Sequence, residues 1–213
     1  QVEIERVAVS EHILLGGDNI DLSLAGAFEK EYERLHTKKL SSWQWAQLVS
    51  NAKEVKEKVL EDISDCDEEK IYIAIANQHK NLFESSSSVG LSRKVIKDLI
   101  LDGFFPGCSA KERPKHSVQA LKEWGLPYAF DPAISRHLAE FVCGKKIDAI
   151  LYAGGTLLPQ LLQNTLTKLI TNWQQDAPVI LDNQHLELSV ACGASVYGFV
   201  HRQKTLKIKG GYP

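Results

Sequence analysis

Two glycine pairs carry the residue types best suited to touching a phosphorylated ligand. In the first, His12 to Leu15 lead into Gly16-Gly17, followed at once by Asp18 and Asn19. In the second, Ile147-Asp148-Ala149-Ile150-Leu151-Tyr152-Ala153 breaks into Gly154-Gly155-Thr156, and Leu157-Leu158-Pro159 follow. Glycine lacks a Cβ, so it permits φ > 0 and close approach of backbone to a ligand. Each pair precedes a helical pattern, and the first turn of a helix offers unpaired N–H groups and a partial positive charge. The chemistry implied is non-covalent contact with phosphate or ribose. A plain strand-to-helix turn uses the same residues, so the pairs alone leave both readings open.

Other chemistries find less support. The seven histidines show no H-x-x-x-H or other metal-ligand spacing. His137, in Ser135-Arg136-His137, is the one residue placed like a base, yet no nucleophile motif accompanies it. Cys66, Cys108, Cys143 and Cys192 are far apart and form no C-x-x-C, which reads as reduced thiols in a cytoplasmic protein. A net charge of −2 supplies no basic field for nucleic acid or an anionic membrane surface. No apolar run is long enough to span a bilayer and no signal peptide is visible. Nucleic acid and membrane are therefore not expected as partners.

The elements that must position the glycine pairs can be read from periodicity and caps. Val2 to Val9 alternates as a half-buried strand does. A helix runs from Asp18 or Asn19, as cap, to about His36, with Ile20, Leu24, Ala27, Phe28 and Leu35 on one face. A second runs from Ser41 or Ser42 to about Asp62. Its stripe is Trp45, Leu48, Val49, Ala52, Val55 and Val59, and Lys53 to Lys58 give a solvated face. Ile71 to Ala76 is a strand, with a partner expected around Lys80 to Ser86. Ser92 caps a helix over Arg93 to Leu101. Residues 103–131 read as an insertion, with an aromatic turn at Trp124 to Tyr128. Asp131-Pro132 opens a helix through Phe141. A buried strand over 147–153, a helix from Pro159 to about Trp173, a strand Pro178 to Leu181 and a helix from about Glu187 to His201 complete the chain. In that last helix Gly193 is small for packing. Strand–turn–helix alternation of this kind favours an α/β fold.

The order of these motifs resembles the second half of the ATPase domain of DnaK-like 70-kDa heat-shock chaperones. Leu15-Gly16-Gly17-Asp18-Asn19-Ile20-Asp21 resembles the LGGxxFD turn of that family. The helix with Ala52, Val55 and Lys56 resembles its adenosine-facing helix. Ala149 to Thr156 resembles the strand and GGS/T turn that holds adenosine and phosphate. Glu187 to Ser195 resembles the DEAVAxGAA helix that closes the site. A divergent bacterial branch is nearer still, through Asp102-Gly103-Phe104-Phe105-Pro106, Glu123 to Tyr128, and the ending Arg202 to Gly211.

The resemblance implies an actin-like, ribonuclease-H-like α/β fold with a central mixed sheet, of which this chain is lobe II. Residues 1–15 and 103–213 would form the core subdomain, and 16–102 a small helix-rich outer one. It implies Gly16, Gly17, Lys53, Lys56, Gly154, Gly155, Thr156 and Glu187 as nucleotide-contacting positions, with ATP or ADP and magnesium as ligands of the full-length protein. The partners implied are the first lobe of the same chain, client or cochaperone proteins, and a second copy of the fragment. The chain begins at Gln1 and contains no methionine, which reads as a piece of a longer protein. The family's first phosphate loop, catalytic lysine and magnesium-associated aspartate belong to lobe I, and its DxGGGTxD loop would precede Gln1. A chain lacking them is expected neither to hydrolyse ATP nor to hold nucleotide tightly alone, since phosphoryl transfer depends on positioning and a metal ion. The family's GGSTRIP turn is one residue shorter here and lacks its arginine. Lys53 and Glu57 stand where the family has an acidic residue and an arginine, and Glu187 where it has aspartate. The same changes suit a rival, a non-enzymatic interaction protein that has kept the fold and lost adenine binding.

Overall fold

The computed structural model describes residues 6–10, 13–61, 66–76, 87–115 and 131–203, and it is a mixed α/β structure. Helix α1 (Gly17–His36) starts at the first glycine pair. Its cap is Gly16, two residues before Asp18 and three before Asn19, the expected caps. Gly16 donates its N–H to Asn19 Oδ1 at 2.8 Å, so Asn19 stabilises the start from inside the first turn. Asp18 adds a favourable negative charge beside the helix N-terminus. Ile20, Leu24, Phe28 and Tyr32 are buried, whereas Leu35 is half exposed. The apolar stripe thus continues at 28 and 32, and Thr37, in the left-handed region, ends the helix soon after.

Helix α2 (Ser42–Glu61) buries Leu48, Ala52, Val55, Val59 and Leu60 against α1. Lys56 is buried with them, although its type suggested the solvated face. It lies one turn after Ala52 at the border of the stripe, where its ammonium meets a carboxylate of α1.

Strands β1 (Lys70–Ile75) and β2 (Ser87–Ser92) pair antiparallel, with Tyr72 opposite Gly90. A Cβ on Gly90 would lie 2.6 Å from the Tyr72 ring, so only glycine lets that ring lie across the pair. The expected partner strand at 80–86 lies outside the described residues, and β1 pairs with 87–92. Ser92 ends β2 and caps helix α3 (Arg93–Phe104) by accepting the Val95 N–H.

Helix α4 (Ile134–Val142) follows Asp131-Pro132 as expected. Asp131 accepts N–H groups from Ala133 and Lys115 and two contacts from Arg136, whose Nε also donates to Glu112. These bonds hold the segment before 116–130 against the start of α4. Trp124 to Tyr128 lies outside the described residues.

The second glycine pair sits in a β–α–β unit. Strand β3 (Ala149–Leu151) ends in a 3₁₀ turn (Gly155–Leu157), helix α5 (Gln160–Gln174) crosses over, and β4 (Val179–Leu181) pairs parallel to β3. Tyr152 pins strand to helix, its hydroxyl lying 3.0 Å from Gln163 O and 2.9 Å from Thr167 Oγ1. Leu162, Leu166 and Leu169 of α5 join one core with Ile20, Leu24, Leu48, Ala52 and Ile96. A second 3₁₀ turn (Leu186–Leu188) leads into helix α6 (Ser189–Gln203).

Two expectations about burial are corrected. The strand before Gly154 is not buried, for Leu151 is 57 % exposed and Val179, Ile180 and Leu181 of its neighbour are also exposed. Among the described residues β4 alone pairs with it, and parallel strands need cover on both faces to be buried. Gly193 does not permit a close packing approach, because a Cβ there would meet nothing within 4 Å. Val190, Val196, Tyr197 and Phe199 of α6 are likewise exposed. Residues 6–10 carry no strand pairing, and 1–5 lie outside the described set. Among the described residues no helix is long and apolar enough to cross a membrane.

Candidate functional site

The first turn of α1, the last three turns of α2, and the 3₁₀ turn before α5 enclose a cavity of about 470 Å³. That volume suits a small ligand. Five of the eight positions named from the sequence border it, namely Gly17, Lys53, Lys56, Gly155 and Thr156. They come from three separate segments of the chain, joined through α1 on α2 and α2 on α5.

Gly17 makes this convergence possible. A Cβ at Gly17 would stand 3.3 Å from both Lys56 Nζ and Thr156 Oγ1, tighter than ordinary contact. Its absence lets the N-terminus of α1 close on the second glycine turn. Gly16 lies just behind, 3.8 Å from the same hydroxyl by the same measure. Gly154 serves differently. Its φ of +91° is open to glycine and strained for other residues, and it turns the chain out of β3. The Gly154 N–H donates to Leu186 O at 2.8 Å, tying the turn to the segment that bears Glu187. Glu187 itself is not among the residues bordering the cavity. Its side chain is half exposed, with His185 Nδ1 4.0 Å away.

The cavity is built around a charge pair that the sequence did not reveal. Asp21, on α1, places Oδ1 2.7 Å from Lys56 Nζ, and both side chains are almost fully buried. At this distance the opposite charges of the two groups hold the contact. Lys56 Nζ also donates to Gly17 O at 3.4 Å. Burial pushes the Asp21 carboxyl above its ordinary value, and the Lys56 ammonium opposes that rise without cancelling it. Asp18, Glu57 and Glu61 add three carboxylates to the lining, against Lys53 as the other cation. Lys53, Glu57 and Glu61 recur every four residues of α2, and that spacing was the available signal for a shared face.

The other candidate residues are committed elsewhere. His137 Nε2 lies 2.9 Å from Asp131 O, and Ser135 Oγ donates to Pro106 O at 2.7 Å, so neither forms a nucleophile–base pair. Among the described residues no group of three or more His, Cys, Asp or Glu side chains converges as a metal site would. The four cysteines are unpaired thiols. The arrangement can bind and orient a ligand. No protein-family model matches the chain, and no curated protein matches its sequence.

Proposed function

We propose that this chain is one wall of a nucleotide cleft, lobe II of a divergent DnaK-like ATPase domain with an actin-like fold. The observation that carries the reading is the convergence of Gly17, Lys53, Lys56, Gly155 and Thr156 on one cavity, since the motifs in the sequence single out these same positions. The β–α–β unit supports it, because ligands of open α/β folds sit beyond the carboxyl ends of strands, where Gly154-Gly155-Thr156 lies. In this reading the groups that transfer phosphate, and those that hold magnesium beside it, lie outside these 213 residues. The chain binds and orients, and ATP hydrolysis requires the other lobe. Calorimetry of the full-length protein with ATP and magnesium tests this. Saturable binding supports it, and a folded protein that takes up no nucleotide overturns it.

A second reading, a non-enzymatic interaction protein, is favoured by the exposed apolar side chains of β4 and α6, because large apolar side chains left open to water are available to a partner. Under it, Phe199→Asp abolishes association of the protein with itself or a client while nucleotide has no effect on either form. Association that survives Phe199→Asp contradicts it.

A further inference from the structure

A second cavity, of about 610 Å³, opens where the last turn of α2 meets the start of β1. It touches Lys70, Ile71 and Tyr72 in succession. Successive side chains of a strand point to opposite faces, so a cavity that meets all three runs along the edge of the strand. Among the described residues that edge is open, because β1 pairs with β2 alone. Arg93 donates its N–H to Glu69 O at 2.8 Å, in register with the ladder. Bonded and non-bonded pairs alternate along an antiparallel ladder. Ile71 and Ile73 therefore bond to β2, while Lys70, Tyr72 and Ala74 turn their N–H and C=O groups outward. The close approach of the Tyr72 ring to Gly90 agrees, since side chains come nearest at non-bonded pairs. Beyond Ala74 the edge is closed, for Gln44 Nε2 donates to Ala76 O at 3.0 Å.

A row of outward N–H and C=O groups is a template for a further strand. The charges beside it say which strand. Arg93 is engaged by Glu69 at 2.7 Å. Lys58 and Lys70 are exposed, and among the described residues no ion pair engages either. Glu31 acts on Lys70 only at longer range, being committed to Arg34 at 2.7 Å. Glu61 is the one charge on the lining that opposes the two lysines. Lysines along an edge repel an identical edge and so disfavour a second copy of this chain. They attract a strand that sets carboxylates opposite them. Half-buried Ile71 and exposed Tyr72 offer apolar surface on the two faces.

We propose that the edge of β1 takes up an extended acidic segment of a partner protein as a further strand. Its backbone pairs with Lys70, Tyr72 and Ala74, and its carboxylates lie against Lys58 and Lys70. This goes beyond the nucleotide reading and does not rest on it, since the two cavities share only Glu61.

The test uses a fluorescein-labelled peptide of alternating glutamate and valine, its lysine–valine counterpart, and the glutamate–valine peptide with every backbone amide N-methylated. Fluorescence anisotropy follows binding to the whole chain, and amide chemical shifts locate it. The acidic peptide binds saturably and shifts the amides of Lys70 to Ala74. The other two bind about tenfold more weakly or worse, having lost the charge match or the backbone donors. Lys58→Glu/Lys70→Glu changes two exposed positions and leaves the core intact. It weakens the acidic peptide by about tenfold or more, as attraction across the pair becomes repulsion. An acidic peptide bound as tightly with its amides methylated is held by charge alone and overturns the proposal. Equal binding of the lysine peptide, an affinity unmoved by the double substitution, or no saturable binding by the folded protein overturns it too.

Discussion

Replacing Lys56 by methionine probes the centre of the site. Lys56 lies on the buried side of α2 along with Ala52, Val59 and Leu60, and methionine keeps its volume. What is lost is the ammonium 2.7 Å from Asp21, whose side chain is 6 % exposed. Breaking a buried pair by removing one partner costs about 3–5 kcal/mol, because the other charge stays buried without compensation. Asp21 can escape part of this by taking up a proton. Burial already holds its carboxyl above the ordinary value of 3.8, and losing the opposing Lys56 raises it further. A carboxyl raised on folding contributes stability that is complete below its unfolded value and is lost as pH climbs through the folded one. The Lys56→Met deficit is therefore larger at pH 8 than at pH 5. Asp21→Leu strands the ammonium and costs a similar amount, while Asp21→Leu/Lys56→Met falls within about 1 kcal/mol of the native protein. Urea denaturation followed by tryptophan fluorescence at both pH values gives all four corners of the cycle. A single variant costing under about 1 kcal/mol at pH 8, or a double deficit equal to the sum of the singles, refutes the reasoning.

Further substitutions test the turns and the α4 entry. Gly154→Ala forces alanine to φ +91° and lowers stability by about 1–3 kcal/mol in the same assay. Gly17→Ala places a methyl 3.3 Å from Lys56 Nζ and Thr156 Oγ1. It costs about 1–3 kcal/mol as an overpacked contact, and adding Thr156→Ala restores part of the loss. Arg136→Ala removes the guanidinium shared by Asp131 and Glu112. Backbone N–H groups and Arg136 together hold Asp131 below its ordinary value despite burial. A depressed carboxyl gives stability present above its unfolded value and lost as pH falls through the folded one. The variant is weaker by about 1–3 kcal/mol at pH 7, and the gap to the native protein narrows as pH drops below 3.8.

The helices were legible because their signals are local. Ser92 announces α3, Gly16-Gly17 announces α1, Asp131-Pro132 announces α4, and Pro159 announces α5, each within a residue or three of the observed start. Strand pairing was harder to place. Ser87-Ser88-Val89-Gly90 has little β-branched character, yet Gly90 makes room for Tyr72, a preference visible only across the pair. The apolar composition of 147–153 suggests burial that β3 does not have, because cover depends on neighbouring layers. In the site, the glycine pairs could be named from sequence because backbone approach demands glycine. Asp21 falls in the LGGxxFD-like turn, but its pairing could not be read, for an acid in a helical stripe reads as a surface charge until Lys56, 35 positions away, is seen against it. Glu187 was placed by motif alone, and the chain leads it to the surface beside the tether from Gly154 to Leu186.

The most direct test of the central claim is to map where a nucleotide touches the protein, by amide chemical shifts during titration with ADP. The account predicts shifts confined to Gly16 to Asp21, Lys53 to Glu61 and Gly154 to Pro159, the three segments that enclose the cavity. Saturable shifts located instead on β1 and β2 or along α6, with those three segments unmoved, would contradict it.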